Sequence, residues 1–226
     1  QAAASRAAGL VVQAVDAVLS RQDDEPSRAF VMVRPPGHHA ASGRCGGFCI
    51  YNNVALAARY AQDKHGAEKV LVVDWDVHHG NGTQDIFYED DTVFFFSTHQ
   101  APWYPGTGAR EETGSGKGLG TILNRPFPAG AGRKEIVSAF ETELVTAANK
   151  FKPDLVLVSA GFDSRIEDPL GHFRLTDEDF SDLTKVMLDV ANEHSDGRLV
   201  SMLEGGYNLS GLAKAVEHHF RALIEP

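Results

Sequence analysis

Short, unbroken apolar runs that stop abruptly at polar residues constrain this chain more than any other feature. Val70-Leu-Val-Val73 runs into Asp74 and Leu155-Val-Leu-Val158 into Ser159 and Gly161-Phe-Asp163, while residues 198–203, mostly apolar but opening on Arg198 and including Ser201, run into Glu204-Gly-Gly-Tyr207. Such runs are too short for buried helices, and too continuously apolar for strands with one wet face. They read as strands buried on both faces. Further strands are expected at 30–34 and 92–98, and helices at 2–19, 52–65, 134–151, 176–195 and 209–224. Residues 99–132 are rich in Gly and Pro and lack periodicity. Helices alternating with buried strands predict an α/β fold: a single open, mostly parallel sheet flanked by helices on both faces. Ligands of such sheets gather beyond the carboxyl ends of the strands, where the unusual residues of this chain fall.

Composition narrows the function classes. The 226 residues carry a net charge of -10 and are 42% hydrophobic, which suits one large domain or two small ones and excludes a disordered, collagen-like or disulfide-stapled chain. Without a basic stripe, no direct nucleic-acid binding is expected, whereas basic protein or polyamine substrates fit an acidic surface. No apolar run approaches the ~20 residues of a membrane span, so no membrane partner is expected. No secretion signal opens the chain. The expected location is cytoplasmic in a bacterium, or cytoplasm, nucleus or organelle in a eukaryote, and not secreted. The first residue is Gln1 rather than Met, so a native start is not expected here. Cys45 and Cys49 lie in a Gly-rich apolar stretch and read as buried thiols.

The strand-end motifs carry the chemistry. In Asp74-Trp-Asp76-Val-His78-His79-Gly-Asn81, continued extended backbone would put Asp74, Asp76 and His78 on one face and Trp75, Val77 and His79 on the other. Two carboxylates and an imidazole crowd one another there unless a cation joins them, and Asp and His suit zinc. A hydrogen-bond network without metal uses the same residues, so this segment alone leaves both readings open. Asp163 would add a third ligand and leave one metal position free, although a turn or capping Asp fits the same place. His38 and His39 follow Arg34-Pro-Pro-Gly37 and can take a proton from water and return it to a leaving amine. Asp74 is a candidate to orient one ring and Asn81 the other; an Asp partner makes a ring more basic, a neutral Asn less so. A structural turn pair is the plainer alternative. Tyr207, after two glycines, could donate its hydroxyl to a polarised carbonyl or be structural. Other chemistries fit poorly. No G-x-S-x-G elbow, dinucleotide fingerprint or Walker motif occurs. The glycine-rich 114–120 segment lacks the ending of a phosphate loop, and Cys45 or Cys49 as a nucleophile is a remote alternative.

Taken in order, RPPGHHA (34–40), GGFCIYNN (46–53), DWDVHHGNGTQ (74–84), STHQ (97–100), YPGTG (104–108), SAGFDSRIEDPLG (159–171) and LEGGYN (203–208) resemble the zinc-dependent histone deacetylase family. That family includes acetylpolyamine amidohydrolases and bacterial histone deacetylase-like amidohydrolases. The resemblance implies an arginase/deacetylase-like fold and one catalytic Zn2+ on Asp76, His78 and Asp163. It implies that His38 pairs with Asp74, that His39 is the general base, and that Tyr207 polarises the substrate carbonyl. Asn81, with LEGGYN, resembles the second class of the family. Phe48, with Gly47 beside it, and Tyr104 resemble the walls of an acyl-lysine channel. Leu170 stands where a polyamine-selective branch carries Glu. Structural K+ is also implied, at Asp74, Ser97 and Thr98 and at a second site involving Phe87, Asp90 and Val93.

The implied reaction is hydrolysis of the acetyl amide of Nε-acetyl-lysine in histones or other proteins, releasing acetate. An acetylpolyamine amidohydrolase is the alternative, and a non-catalytic acyl-lysine-binding or corepressor scaffold is the reading from another class. Residues 1–226 are expected to form the catalytic domain without its N-terminal part. A first strand and a rim loop bearing a substrate-gripping Asp usually precede RPPGHH, and residues 1–33 hold no match to that loop.

Overall fold

The computed structural model describes residues 1–21 and 27–224. Among the described residues, six strands form one sheet: β1 (Arg28–Val31), β2 (Val70–Asp74), β3 (Val93–Gln100), β4 (Ile122–Phe127), β5 (Leu155–Ala160) and β6 (Leu199–Leu203). Their order is β1-β6-β5-β2-β3-β4, and every pairing is parallel. The helices are α1 (Ala2–Leu19), α2 (Asn53–His65), α3 (Asn81–Phe87), α4 (Arg133–Ala139), α5 (Val145–Phe151), α6 (Asp177–His194) and α7 (Leu209–Ile224). A single π turn, Phe140–Leu144, joins α4 to α5 within the expected helix 134–151.

Alternation along β2 sorts its side chains between two cores. Val70 and Val72 pack with Val11 and Val15 of α1 and Val54 and Ala58 of α2. Leu71 and Val73 face Phe140, Leu183 and Met187 on the opposite side. Each fully buried aliphatic side chain of this kind contributes roughly 1.5–3 kcal/mol. The helix ends follow local chemistry. The Asn52 side chain accepts the Ala55 N–H at 3.0 Å to start α2, which closes at Gly66 in the left-handed region. The Asp179 carboxylate accepts the Thr176 N–H at 2.8 Å to start α6.

Several expectations need correction. β1 ends at Val31 rather than Arg34, because the Val33 N–H turns back onto the Val31 carbonyl at 3.0 Å. β4 lies in the stretch read as irregular, and α3 in one to which no element was assigned. β2 stops at Asp74, yet Trp75 and Val77 still join the α4–α7 core. His79 departs from that alternation: a turn in which the Asn81 N–H meets the His79 carbonyl carries its ring beside Phe95, on the other face. α1 is long and apolar enough to cross a membrane by length and composition, contrary to the expectation. In the fold it packs one face inward: its buried valines meet α2, and Asp16 accepts hydrogen bonds from Tyr60 and His65. Cys49 is buried as expected but Cys45 is exposed.

Candidate active site

Loops after β1, β2, β5 and β6 meet beyond the carboxyl edge of the sheet. β2 delivers Asp74 as its last residue, the loop after it carries Asp76 and His78, and the turn after β5 carries Asp163. One ligating atom from each of Asp76, His78 and Asp163 lies within 4.8 Å of the others, and all three residues are buried. Backbone N–H groups from Val77 (2.9 Å) and Gly205 (2.9 Å) fix Asp163 Oδ1 and Asp76 Oδ2 respectively. Asp163 Oδ2 is buried without a hydrogen-bond donor, although His78 Nδ1 stands 3.2 Å away. An unpartnered carboxylate oxygen facing an imidazole nitrogen at this spacing is the coordination a divalent cation completes. The donor set fits zinc, with three protein ligands and room for more.

The paired histidines sit in unlike surroundings. His38 Nδ1 lies 2.9 Å from Asp74 Oδ2, and His39 Nδ1 lies 2.8 Å from Asn81 Oδ1. Burial opposes charge on His38, but the carboxylates of Asp74, Asp76 and Glu204 outweigh it and hold its pKa up at about 10. Burial and then the neighbouring His38 charge push His39 down to about 3. Asn81 Oδ1 can only accept, so the His39 proton sits on Nδ1 and Nε2 keeps its lone pair. Burial, together with the charges of Asp76 and Asp163, pushes the Tyr207 phenol well above its ordinary range, so it remains a donor.

A cavity of about 430 Å³ opens over this cluster, lined by His39, Gly47, Phe48, His78, Trp103, Tyr104, Leu170 and Tyr207. Phe48 is 70% exposed and projects as a wall, its ring 6.3 Å from that of Tyr207. Tyr104 stands edge-on to His39 at 5.1 Å. Gly47 has φ +52, and a Cβ there would lie 2.0 Å from the His39 ring, so only glycine lets the chain pass so close.

All twelve residues expected at the metal, proton-transfer and channel positions therefore come together: His38, His39, Asp74, Asp76, His78, Asn81, Asp163, Tyr207, Gly47, Phe48, Tyr104 and Leu170. Ser97 lies opposite Asp74 in the β2–β3 ladder, with Thr98 next to it. Val93 opens β3, and so stands with Phe87 and Asp90 toward the amino end of the sheet, away from the cavity.

Sequence reasoning missed three contributors. Glu204 accepts the N–H groups of Gly37 (2.6 Å) and His38 (3.1 Å) and the Ser159 hydroxyl (3.0 Å), tying the two-histidine loop to β5 and β6. Burial pushes its carboxyl up to about 7. Trp103 donates its indole N–H to the Leu170 carbonyl at 2.9 Å. Asp168 bonds the backbone of Tyr207. A carboxylate directly after a fully buried, mostly apolar strand was the available signal for Glu204.

The all-parallel sheet, with a buried Asp/His/Asp cluster and two histidines at its carboxyl edge, defines an α/β protein of the arginase/deacetylase fold. A family model described as "Histone deacetylase domain" matches residues 1–223, and the chain belongs to that family. It is 47% identical over 220 residues to Histone deacetylase 14, chloroplastic, of Arabidopsis thaliana, covering 96% of this chain and 52% of the relative. It is 44% identical over 217 residues to Polyamine deacetylase HDAC10 of Homo sapiens, covering 93% of this chain and 31% of that protein. A crystal structure of the HDA15 HD domain superposes with a TM-score of 0.92 at 41% identity, covering 98% of this chain and 62% of that one. The chain spans about half the length of Histone deacetylase 14.

Proposed function

We propose that this chain carries a zinc-dependent hydrolase site for the acetyl amide of Nε-acetyl-lysine in proteins or peptides. The observation that carries the reading is the Asp76–His78–Asp163 cluster beneath an aromatic-walled cavity that His39 and Tyr207 also line. Zinc, when bound, supplies a Lewis acid for the amide carbonyl and lowers the pKa of water to the neutral range. His39, neutral at physiological pH, accepts the proton of the attacking water at Nε2 and returns it to the departing lysine nitrogen. His38, held charged by its carboxylates, keeps His39 neutral until that transfer. The Tyr207 hydroxyl donates to the carbonyl oxygen as it gains charge. Phe48 and Tyr104 enclose the aliphatic stem of the lysine.

Leu170 supports acetyl-lysine over acetylpolyamine, because an apolar wall has no charge to pair with a second ammonium. The relative named Polyamine deacetylase HDAC10 keeps the polyamine alternative in view. A non-catalytic scaffold is the weaker reading, since Tyr207 and the whole donor set are in place. Relatives named as chloroplastic support an organelle among the expected compartments.

K+ near Asp74, Ser97 and Thr98 belongs to the same proposal, supported by a buried Thr98 hydroxyl that lacks a partner. At Phe87, Asp90 and Val93 the proposal rests on resemblance, because the Asp90 carboxylate already serves Arg59 and Thr92.

Metal analysis with an acetyl-lysine peptide assay tests the reading. One zinc per chain and measurable turnover are expected. Asp163→Ala should lose both, and Tyr207→Phe should keep the zinc and lose at least ~10²-fold in kcat. A zinc-loaded chain that binds the peptide without turning it over would favour the scaffold.

A further inference from the structure

Two loops that line the cavity meet on one carboxylate. Asp168 is 7% exposed and follows Glu167, whose φ is +67. Its Oδ1 accepts the Leu170 N–H at 2.9 Å, and its Oδ2 accepts the N–H groups of Tyr207 at 2.7 Å and Asn208 at 3.1 Å. The Asn208 side chain donates back to the Glu167 carbonyl at 3.0 Å. The 204–208 loop is thereby stapled to the 165–170 loop at Tyr207 and at Asn208. The staple has a reason to exist. Tyr207 follows Gly205 and Gly206, the latter at φ +135, so the chain leading to it has little stiffness of its own. A buried carboxylate with three N–H donors is a rigid, charge-assisted anchor. Leu170 does not depend on it alone, because Trp103 holds its carbonyl from the far side.

We propose that Asp168 is the positioning residue for Tyr207: its carboxylate fixes the tyrosine backbone and so sets where the hydroxyl stands over the metal cluster. This deepens the reading above and rests on Tyr207 being the carbonyl donor. Displacing a catalytic group by about 1 Å lowers turnover by ~10²-fold. Asp168→Ala should therefore lower kcat by ~10–10²-fold while KM changes less than about 3-fold and zinc content holds. Asp168→Asn keeps an acceptor oxygen for the Tyr207 amide and should recover part of the loss.

The deciding measurement is a double-mutant cycle with Tyr207→Phe, read as kcat on the zinc-loaded chain. If Asp168 acts through Tyr207, then Asp168→Ala should cost less than about 3-fold once the hydroxyl is gone. Equal fold-losses in both backgrounds would overturn the proposal. Hydrogen exchange gives a reading independent of activity: the Tyr207 and Asn208 amides should lose protection in Asp168→Ala while those of β5 keep theirs. Unchanged protection would also overturn it. Should Tyr207→Phe retain full turnover, the donor role of Tyr207 fails by itself, and exchange still decides whether Asp168 holds the loop.

Discussion

Adding one methyl group at Gly205 tests the metal site without removing any of its chemical groups. A Cβ built there falls 2.1 Å from Asp163 Oδ2 and 2.7 Å from Asp76 Oδ2. Both oxygens belong to proposed ligands, and ordinary contact would need about 1 Å more room. The Gly205 backbone lies outside the left-handed region, so Gly205→Ala strains packing and not φ. The Gly205 N–H also donates to Asp76, so a carboxylate that retreats surrenders that bond. Overpacking of this kind costs about 1–3 kcal/mol, a fall of roughly 2–12 °C in Tm for a chain of this size. The effect on metal is larger, because zinc–oxygen bonds are ~2.0–2.2 Å and do not tolerate a displacement approaching 1 Å. Zinc affinity should drop by at least ~10–10²-fold. Competition titration with a chelator, followed by metal analysis of the desalted protein, measures this directly. Gly9→Ala in α1, where a Cβ meets nothing within 4 Å, is the control and should leave affinity unchanged. A folded Gly205→Ala protein holding one zinc at undiminished affinity would show that these carboxylates are not the ligands.

Three further outcomes follow from the same geometry. Glu204→Ala strands the buried N–H groups of Gly37 and His38 and should destabilise by roughly 2–6 kcal/mol in urea unfolding, with Glu204→Gln milder because an acceptor remains. Leu170→Glu should raise kcat/KM for acetylspermidine relative to an acetyl-lysine peptide, and an unchanged ratio would remove Leu170 from substrate choice. His219 is buried between the hydroxyls of Thr184 and Ser201, and burial lowers its pKa to about 3. The unfolded chain takes up that proton near pH 6.5 and the folded chain does not, so stability falls as pH drops from about 6.5 toward 3. Between pH 7 and 4.5 this one group removes roughly 2–3 kcal/mol, and His219→Gln should flatten the decline by that amount.

Most of the sheet was legible because β2, β5 and β6 are buried on both faces and write that burial as short, mostly apolar runs, with Ser201 the one polar residue inside β6. β4 was not, because Ile122–Phe127 is an edge strand and carries Asn124, Arg125 and Pro126 where a central strand would be apolar. α3 escaped notice for a related reason: seven residues opening Asn81-Gly82 show too few turns for a helical period to register. The proposed ligands were readable as strand-end polar groups, Asp76 and His78 close together after β2 and Asp163 in the turn after β5. Asp168, Glu204 and Trp103 act on partners far away in sequence, and no local pattern announces a carboxylate that serves another loop's backbone. Cys45 was misjudged because a Gly-rich apolar stretch resembles core, whereas here it is a surface hairpin around the Gly46–Cys49 bridge.

The pairing of β1 with β6, Arg28 against Leu199, joins the two ends of the described chain. During synthesis β1 leaves the ribosome long before its partner exists. At ~5–20 residues per second the delay is on the order of 10–30 s. Until β6 arrives, β1 has no strand partner, and Glu204 is absent from beneath the two-histidine loop. Asp163 enters earlier with β5, so the metal donors are complete before the proton-transfer loop is locked. Metal capture can thus precede closure of the sheet, and a nascent chain stalled before residue 199 would hold the proposed ligands and both histidines without Tyr207 or the Glu204 that ties the histidine loop down.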